Sequence, residues 1–251
     1  GKEDETMLKQ VAAGYYGLIT HLDEQIGEVM QSAHTQGLME TTRLVYTSDH
    51  GESYGNHGLF GKCQLLETAA AVPLMMCGPG IEPGTVVNQI ASQVDLFPTL
   101  VEAAGAKLET ADADLPGTSL WPALTGTEVD RVGFGEYHAS CSRTGSFFLR
   151  RGDDKLIYHV GMPRELYDLH ADPHEEHDRL RDGGTPEALR VADQLEAALR
   201  GICYPEVVDA QARADQRVRT EEFGGNAQVA QMGALTRTPP PGAKLELQPT
   251  G

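Results

Sequence analysis

Long apolar runs are missing from this 251-residue chain. The longest, Ala69 to Cys77, is broken by Pro73 and is too short to cross a bilayer, so no membrane span is expected. Cysteine is scarce: Cys63, Cys77, Cys141 and Cys203 lie far apart, form no CxxC or zinc-type spacing, and are too few for a disulfide scaffold. Basic residues are outnumbered, with 20 Lys and Arg against 37 Asp and Glu and a net charge of −17. A surface this acidic repels phosphate backbones, which argues against a nucleic-acid partner. It also repels small anions, so any anion site must be locally cationic, through a metal ion or a placed Lys or Arg. There is no internal repeat and no apolar leader, which leaves cytoplasm and periplasm both open. The charged start, Gly1-Lys2-Glu3-Asp4-Glu5, reads as a cut inside a longer protein.

What is present is an ordinary globular composition, 40% apolar and 23% charged. Leu8, Val11, Tyr15, Leu18, Leu22, Ile26 and Val29 recur every three or four residues, the stripe of a helix ending near Gly37. Arg43 to Thr47 reads as a strand, and Val72 to Cys77 as a buried strand closed by Gly78-Pro79-Gly80. Val94 to Ala104 reads as a helix with Asp95 as N-cap. The order helix, strand, loop, strand, helix predicts an α/β layer with a largely parallel sheet. Further on, Val132 to Tyr137, Ser146 to Arg151, Lys155 to Val160 and Glu165 to Leu169 predict a small antiparallel sheet. Helices are predicted over Pro186 to Arg200 and Pro205 to Glu222. The chain thus divides into 1–128, 129–222 and an irregular Gly- and Pro-rich tail over 223–251, marked by Pro239-Pro240-Pro241-Gly242.

The chemistry concentrates in Thr47-Ser48-Asp49-His50-Gly51-Glu52 and the loop up to Gly61-Lys62. A strand delivers Asp49 and His50 at its carboxyl end, where open α/β sheets place ligands. A carboxylate beside an imidazole is a fair start on a divalent-metal site. Gly51 lets the chain turn sharply away, and the glycines at 55, 58 and 61 allow Lys62 to return as a point charge for an anionic oxygen. Taken singly, an Asp-His-Gly trio is an ordinary turn and a loop lysine is ordinarily solvated. His57 in this loop and His138 after the Glu136-Tyr137 strand are weaker candidates for contact with substrate. Ser53 lacks triad context, Asp168 and Asp172 read as turn residues, and His170, His174 and His177 read as a solvated turn.

Together these segments resemble the C-terminal half of the sulfatase family in the alkaline phosphatase superfamily. The resemblance covers about residues 10 to 220. It is carried by Tyr15-Tyr16-Gly17-Leu18 with His21-Leu22-Asp23, by Thr47 to Glu52 with Gly61-Lys62, by Val72-Pro73-Leu74 and Gly78-Pro79-Gly80, and by Val94 to Leu100. Gly117-Thr118-Ser119-Leu120, Leu166 to Leu169 and Asp172-Pro173 with Glu175 complete it. It implies a partial alkaline-phosphatase-like α/β sandwich, a mostly parallel sheet flanked by helices, with a small C-terminal antiparallel sheet and helix. It also implies a metal-dependent hydrolase of small-molecule sulfate esters, with Asp49 and His50 as metal ligands and Lys62 contacting the transferring group. The cation is calcium by family habit, with manganese as the alternative because His50 is a nitrogen ligand. The branches similar to choline sulfatase and phosphonate monoester hydrolase carry His at this position, so phosphonate or phosphate esters are the alternative substrates. A homo-oligomer stays open.

The departure is equally plain. The family's nucleophile is a formylglycine made within C-x-P-S-R or S-x-P-x-R, and neither motif occurs here. The resemblance therefore implies that the formylglycine and the early metal ligands lie outside this chain, and that the chain alone is inactive. A non-catalytic binding module that keeps the fold is the reading from another class.

Overall fold

The computed structural model describes residues 5–139 and 142–232; Cys141 and the Pro-rich stretch at 239–242 lie outside the described residues. The chain opens with α1 (Glu5–Thr35), which ends against Gly37 in the left-handed conformation. Strand β1 (Leu44–Thr47) follows, then a long loop, the short α2 (Glu67–Ala70) and β2 (Leu74–Cys77). Next come α3 (Leu96–Ala103) and the short α4 (Trp121–Leu124).

The α/β class expected from the sequence holds, but β1 and β2 pair antiparallel, Leu44 opposite Cys77 and Thr47 opposite Leu74. The order of elements does not fix strand direction. Here the connection after Thr47 folds over the end of β1 and starts β2 from that same end, so no crossover forms. Asp95 stands at the N-cap position of α3 as expected, but its side chain does not cap that helix. Ser92 forms a capping box with Asp95, and a single 3-10 turn, Gln93–Asp95, precedes the helix. The Asp95 carboxylate is fully buried, accepting from the Thr118 amide at 2.8 Å and from both Arg131 terminal nitrogens at 2.9 and 2.7 Å.

The rest of the chain is a four-stranded antiparallel meander, β3 (Val132–Tyr137), β4 (Ser146–Arg151), β5 (Asp154–His159) and β6 (Glu165–Asp168), in sequential order. Helix α5 (Pro186–Ile202) lies on one face, followed by α6 (Pro205–Glu222). The helix starts where Thr185 accepts from the Ala188 amide at 3.2 Å and Pro186 takes the first turn. Alternation along the strands sorts the side chains. Phe147, Leu149, Leu156 and Leu166 face Ala188, Ala192, Leu195 and Leu199, forming the main core. Each such leucine or phenylalanine contributes about 1.5–3 kcal/mol by leaving water. The opposite face carries Ile157 and Tyr167, which pack on Leu65 from the loop after β1. Part of the segment expected to be an irregular tail is helical, α7 (Asn226–Met232). No helix among the described residues is long and apolar enough to cross a membrane.

Candidate active site

The site is built at the carboxyl end of β1. Asp49 and His50 leave the strand together, and the Asp49 carboxylate accepts from the His50 amide at 3.0 Å. The imidazole Nδ1 lies 2.8 Å from the Gly51 carbonyl, which can only accept, so Nδ1 carries a proton and Nε2 is turned toward Asp49 and Lys62. Nε2 sits 3.2 Å from Asp49 Oδ2. The Lys62 ammonium reaches that same nitrogen from the loop. Desolvation pushes the Asp49 carboxyl up, but the His50 amide and the charges of His50 and Lys62 outweigh it and hold it below the usual carboxylate range. Three groups expected from the sequence thus meet at one point.

The backbone beneath them is held from several sides. Gln93 donates to the Ser48 carbonyl at 2.6 Å and the Asp49 carbonyl at 2.8 Å, fixing the strand end on which both side chains depend. Nothing in residue spacing marks Gln93, because an amide bonding to main-chain carbonyls leaves no periodic signature. Gly51 donates to the Ala69 carbonyl at 2.9 Å. Its role is close approach to the backbone and not the sharp turn expected: a Cβ there would stand 2.1 Å from the Thr68 carbonyl oxygen. The loop closes on itself through Glu52, whose carboxylate accepts from the Tyr54 and Gly61 amides at 3.1 and 2.5 Å. The buried Ser53 hydroxyl accepts from Gln64 at 2.9 Å, a structural role as expected. Tyr54 stacks on Tyr15 of α1, ring centroids 5.1 Å apart.

His57 and His138 stand elsewhere. His57, at positive φ, places Nε2 2.9 Å from the His174 carbonyl in the C-terminal region. His138 packs edge-on against Phe147, 3.7 Å from Glu136. The turn reading of Asp168 and Asp172 holds: Asp168 accepts from the His170 and Ala171 amides, Asp172 from those of Glu176 and His177. A cavity of about 480 Å³ opens beside Asp49, lined by Gln93, Glu67, Phe148, Glu136 and Arg150 among others.

The donor set suits a divalent cation in part. An exposed carboxylate and an imidazole nitrogen converge, but Lys62 contacts that nitrogen here, and no cluster of three or more His, Cys, Asp or Glu ligands occurs among the described residues. Asp49 and His50 would therefore hold one side of an ion and leave the rest of its shell to other groups.

The family model described as Sulfatase matches residues 1–106, and the one described as N-sulphoglucosamine sulphohydrolase, C-terminal, matches residues 55–203. The chain is 35% identical to the choline-sulfatase of Rhizobium meliloti (strain 1021) over 68% of this chain and 33% of that protein. It is 33% identical to arylsulfatase K of Rattus norvegicus over 82% of this chain and 38% of that protein. The chain thus spans about a third of the length of these relatives. The crystal structure of the phosphonate monoester hydrolase of Agrobacterium radiobacter superposes with a TM-score of 0.67 and 28% identity, covering 77% of this chain and 41% of that one. With two family models spanning both regions and a relative 35% identical over 68% of this chain, the chain belongs to the sulfatase family.

Proposed function

We propose that this chain supplies one side of the active site of a metal-dependent hydrolase that cleaves a small-molecule sulfate ester with water, giving the alcohol and sulfate. The observation that carries the reading is the meeting of Asp49, His50 and Lys62 at the end of β1. Asp49 and His50 would hold the divalent cation, calcium or manganese, which supplies Lewis-acid stabilisation of charge when bound. Lys62 presents a protonated ammonium to an oxygen of the transferring group, where negative charge rises in the transition state. Gln93 and Gly51 keep these groups aimed by fixing the backbone below them. The nucleophile, a formylglycine in this reading, and the remaining metal ligands come from residues other than these, so the 251-residue chain by itself turns over nothing.

A phosphonate or phosphate ester is the second reading, favoured by the likeness to the phosphonate monoester hydrolase. The test uses a family-length protein carrying this chain, assayed on aryl sulfate and aryl phosphonate side by side. A higher kcat/KM on the sulfate supports the first reading, and the reverse order supports the second. Metal content is measured on the same preparation. Asp49→Ala is expected to lower cation occupancy, and full occupancy would remove Asp49 from the ligand set. Turnover by the isolated chain would refute the division of the site.

A further inference from the structure

Strand β5 buries a charge that the proposed chemistry does not use. Lys155 has no solvent exposure and lies on the sheet face away from α5, opposite Arg150 on β4 and Tyr167 on β6. An unpaired ammonium there would be strongly destabilising. Two carboxylates meet it, Glu67 at 2.7 Å and Glu175 at 2.8 Å, and Arg150 approaches Glu67 at 3.3 Å. The two cations and two anions cancel. Glu175 is itself buried and held at φ +55°, a conformation rare for a side chain of this size, inside the turn that Asp172 organises. Its other oxygen accepts from the Glu67 amide at 2.5 Å.

A buried network of this kind is weak evidence for stability, because apolar groups of the same volume do at least as well. What it adds is direction. Glu67 closes the segment that begins at Lys62, and that segment is tied at successive positions. The Gln64 amide donates to the Lys62 carbonyl at 2.8 Å, the Gln64 side chain donates to Ser53 and Thr68, and Leu65 inserts beside Ile157 and Tyr167. An apolar contact such as Leu65 can slide; an ammonium between two carboxylates cannot without losing a partner.

We propose that Glu67, Lys155 and Glu175 are positioning residues that lock the Lys62 segment onto the C-terminal sheet and so set where the Lys62 ammonium stands relative to Asp49 and His50. The functional half of this inference rests on the reading of Lys62 given above; the structural half does not.

Hydrogen exchange on the whole 251-residue chain tests the structural half. In Lys155→Met the amides of residues 62–70 are expected to exchange roughly tenfold faster or more, while those of α5 keep their protection, as local opening requires. Glu67→Gln, at a partly exposed side chain, gives the same pattern more mildly and carries the test if Lys155→Met does not fold. The double variant Lys155→Met with Glu175→Leu restores global stability but not protection at 62–70. Unchanged protection in both single variants, equal loosening of α5, or recovery of residues 62–70 in the double variant would each overturn the proposal. In a family-length protein, Lys155→Met should lower kcat with KM nearly unmoved. Loss of protection at 62–70 beside an unaltered rate for Lys62→Ala would sustain the lock and overturn its catalytic purpose.

Discussion

The two regions of this chain treat apolar side chains in opposite ways. In the C-terminal sheet and helix, Phe147, Leu149, Leu156, Leu166 and Leu199 are completely buried. In the N-terminal region much of the α1 stripe is exposed, with Leu18 69% and Val29 65% exposed while Leu8, Tyr15 and Ile26 are half-buried, and Met75 of β2 stands 58% exposed. Both regions carry equally regular patterns, so pattern alone does not distinguish them. An amphipathic stripe reports that a face wants a partner, and only packing reports whether it has one. The region with the sparse core carries the proposed site, while the well-packed region supplies the platform on which Leu65 and Glu67 rest.

This contrast can be broken first at the core. Leu156→Ala is expected to cost about 2–5 kcal/mol of unfolding free energy, because a cavity opens between sheet and α5. Urea denaturation followed through the C-terminal region measures it, and a cost below about 1 kcal/mol would show a core far looser than its burial implies. Next in size is Lys62→Ala in a family-length protein. There kcat should fall by roughly a hundred- to a thousandfold, about 3–4 kcal/mol, with stability moved by less than about 0.5 kcal/mol. Chemistry and stability would then separate along the same boundary as burial.

Acid sharpens the comparison further. Burial alone would push the Asp95 carboxyl up, but Arg131 and the Thr118 and Ser92 amides outweigh it and hold it below the ordinary value of 3.8. A depressed folded pKa contributes stability that is fully present above the unfolded pKa and is lost as pH falls through the folded one. The urea midpoint should therefore hold above about pH 4 and decline below it, and Asp95→Asn should flatten that decline. An equally steep decline in the variant would assign it to other carboxylates. The smallest effect is expected at Leu18→Ala, within about 0.5 kcal/mol, since the side chain already lies in water. A loss as large as that of Leu156→Ala would mean that α1 is covered in solution.

Much of this fold is legible in the sequence where a pattern is local. The stripes of α1 and α5, the four short strands of the meander and the turn chemistry of Asp168 and Asp172 all follow from spacing and residue type. Strand direction at β1 and β2 is not legible, because it depends on where a long loop returns. Lys155 reads as the polar residue of a two-faced strand, and its burial is set by Glu67, 88 positions away. Glu175 is likewise an ordinary turn residue until the fold closes over it. The site divides the same way. Asp49 and His50 are adjacent, and Lys62 is linked to them by resemblance, but the support from Gln93, 44 positions on from Asp49, has no local trace.

The pairing of Thr47 with Leu74 has a consequence for change over time. Both ends of the long connection are clamped side by side in one ladder, so the segment between them behaves as a cassette. Its roots at Asp49 and Glu67 are pinned, whereas the turn at Asn56–Gly58 lies at the exposed tip. Adding residues at that tip costs about 0.6 kcal/mol of loop entropy for each doubling of length, together with the His57 contact to the His174 carbonyl, and does not disturb the ladder. The architecture can therefore vary what the loop presents at its tip while leaving the strand end that carries Asp49 and His50 unmoved.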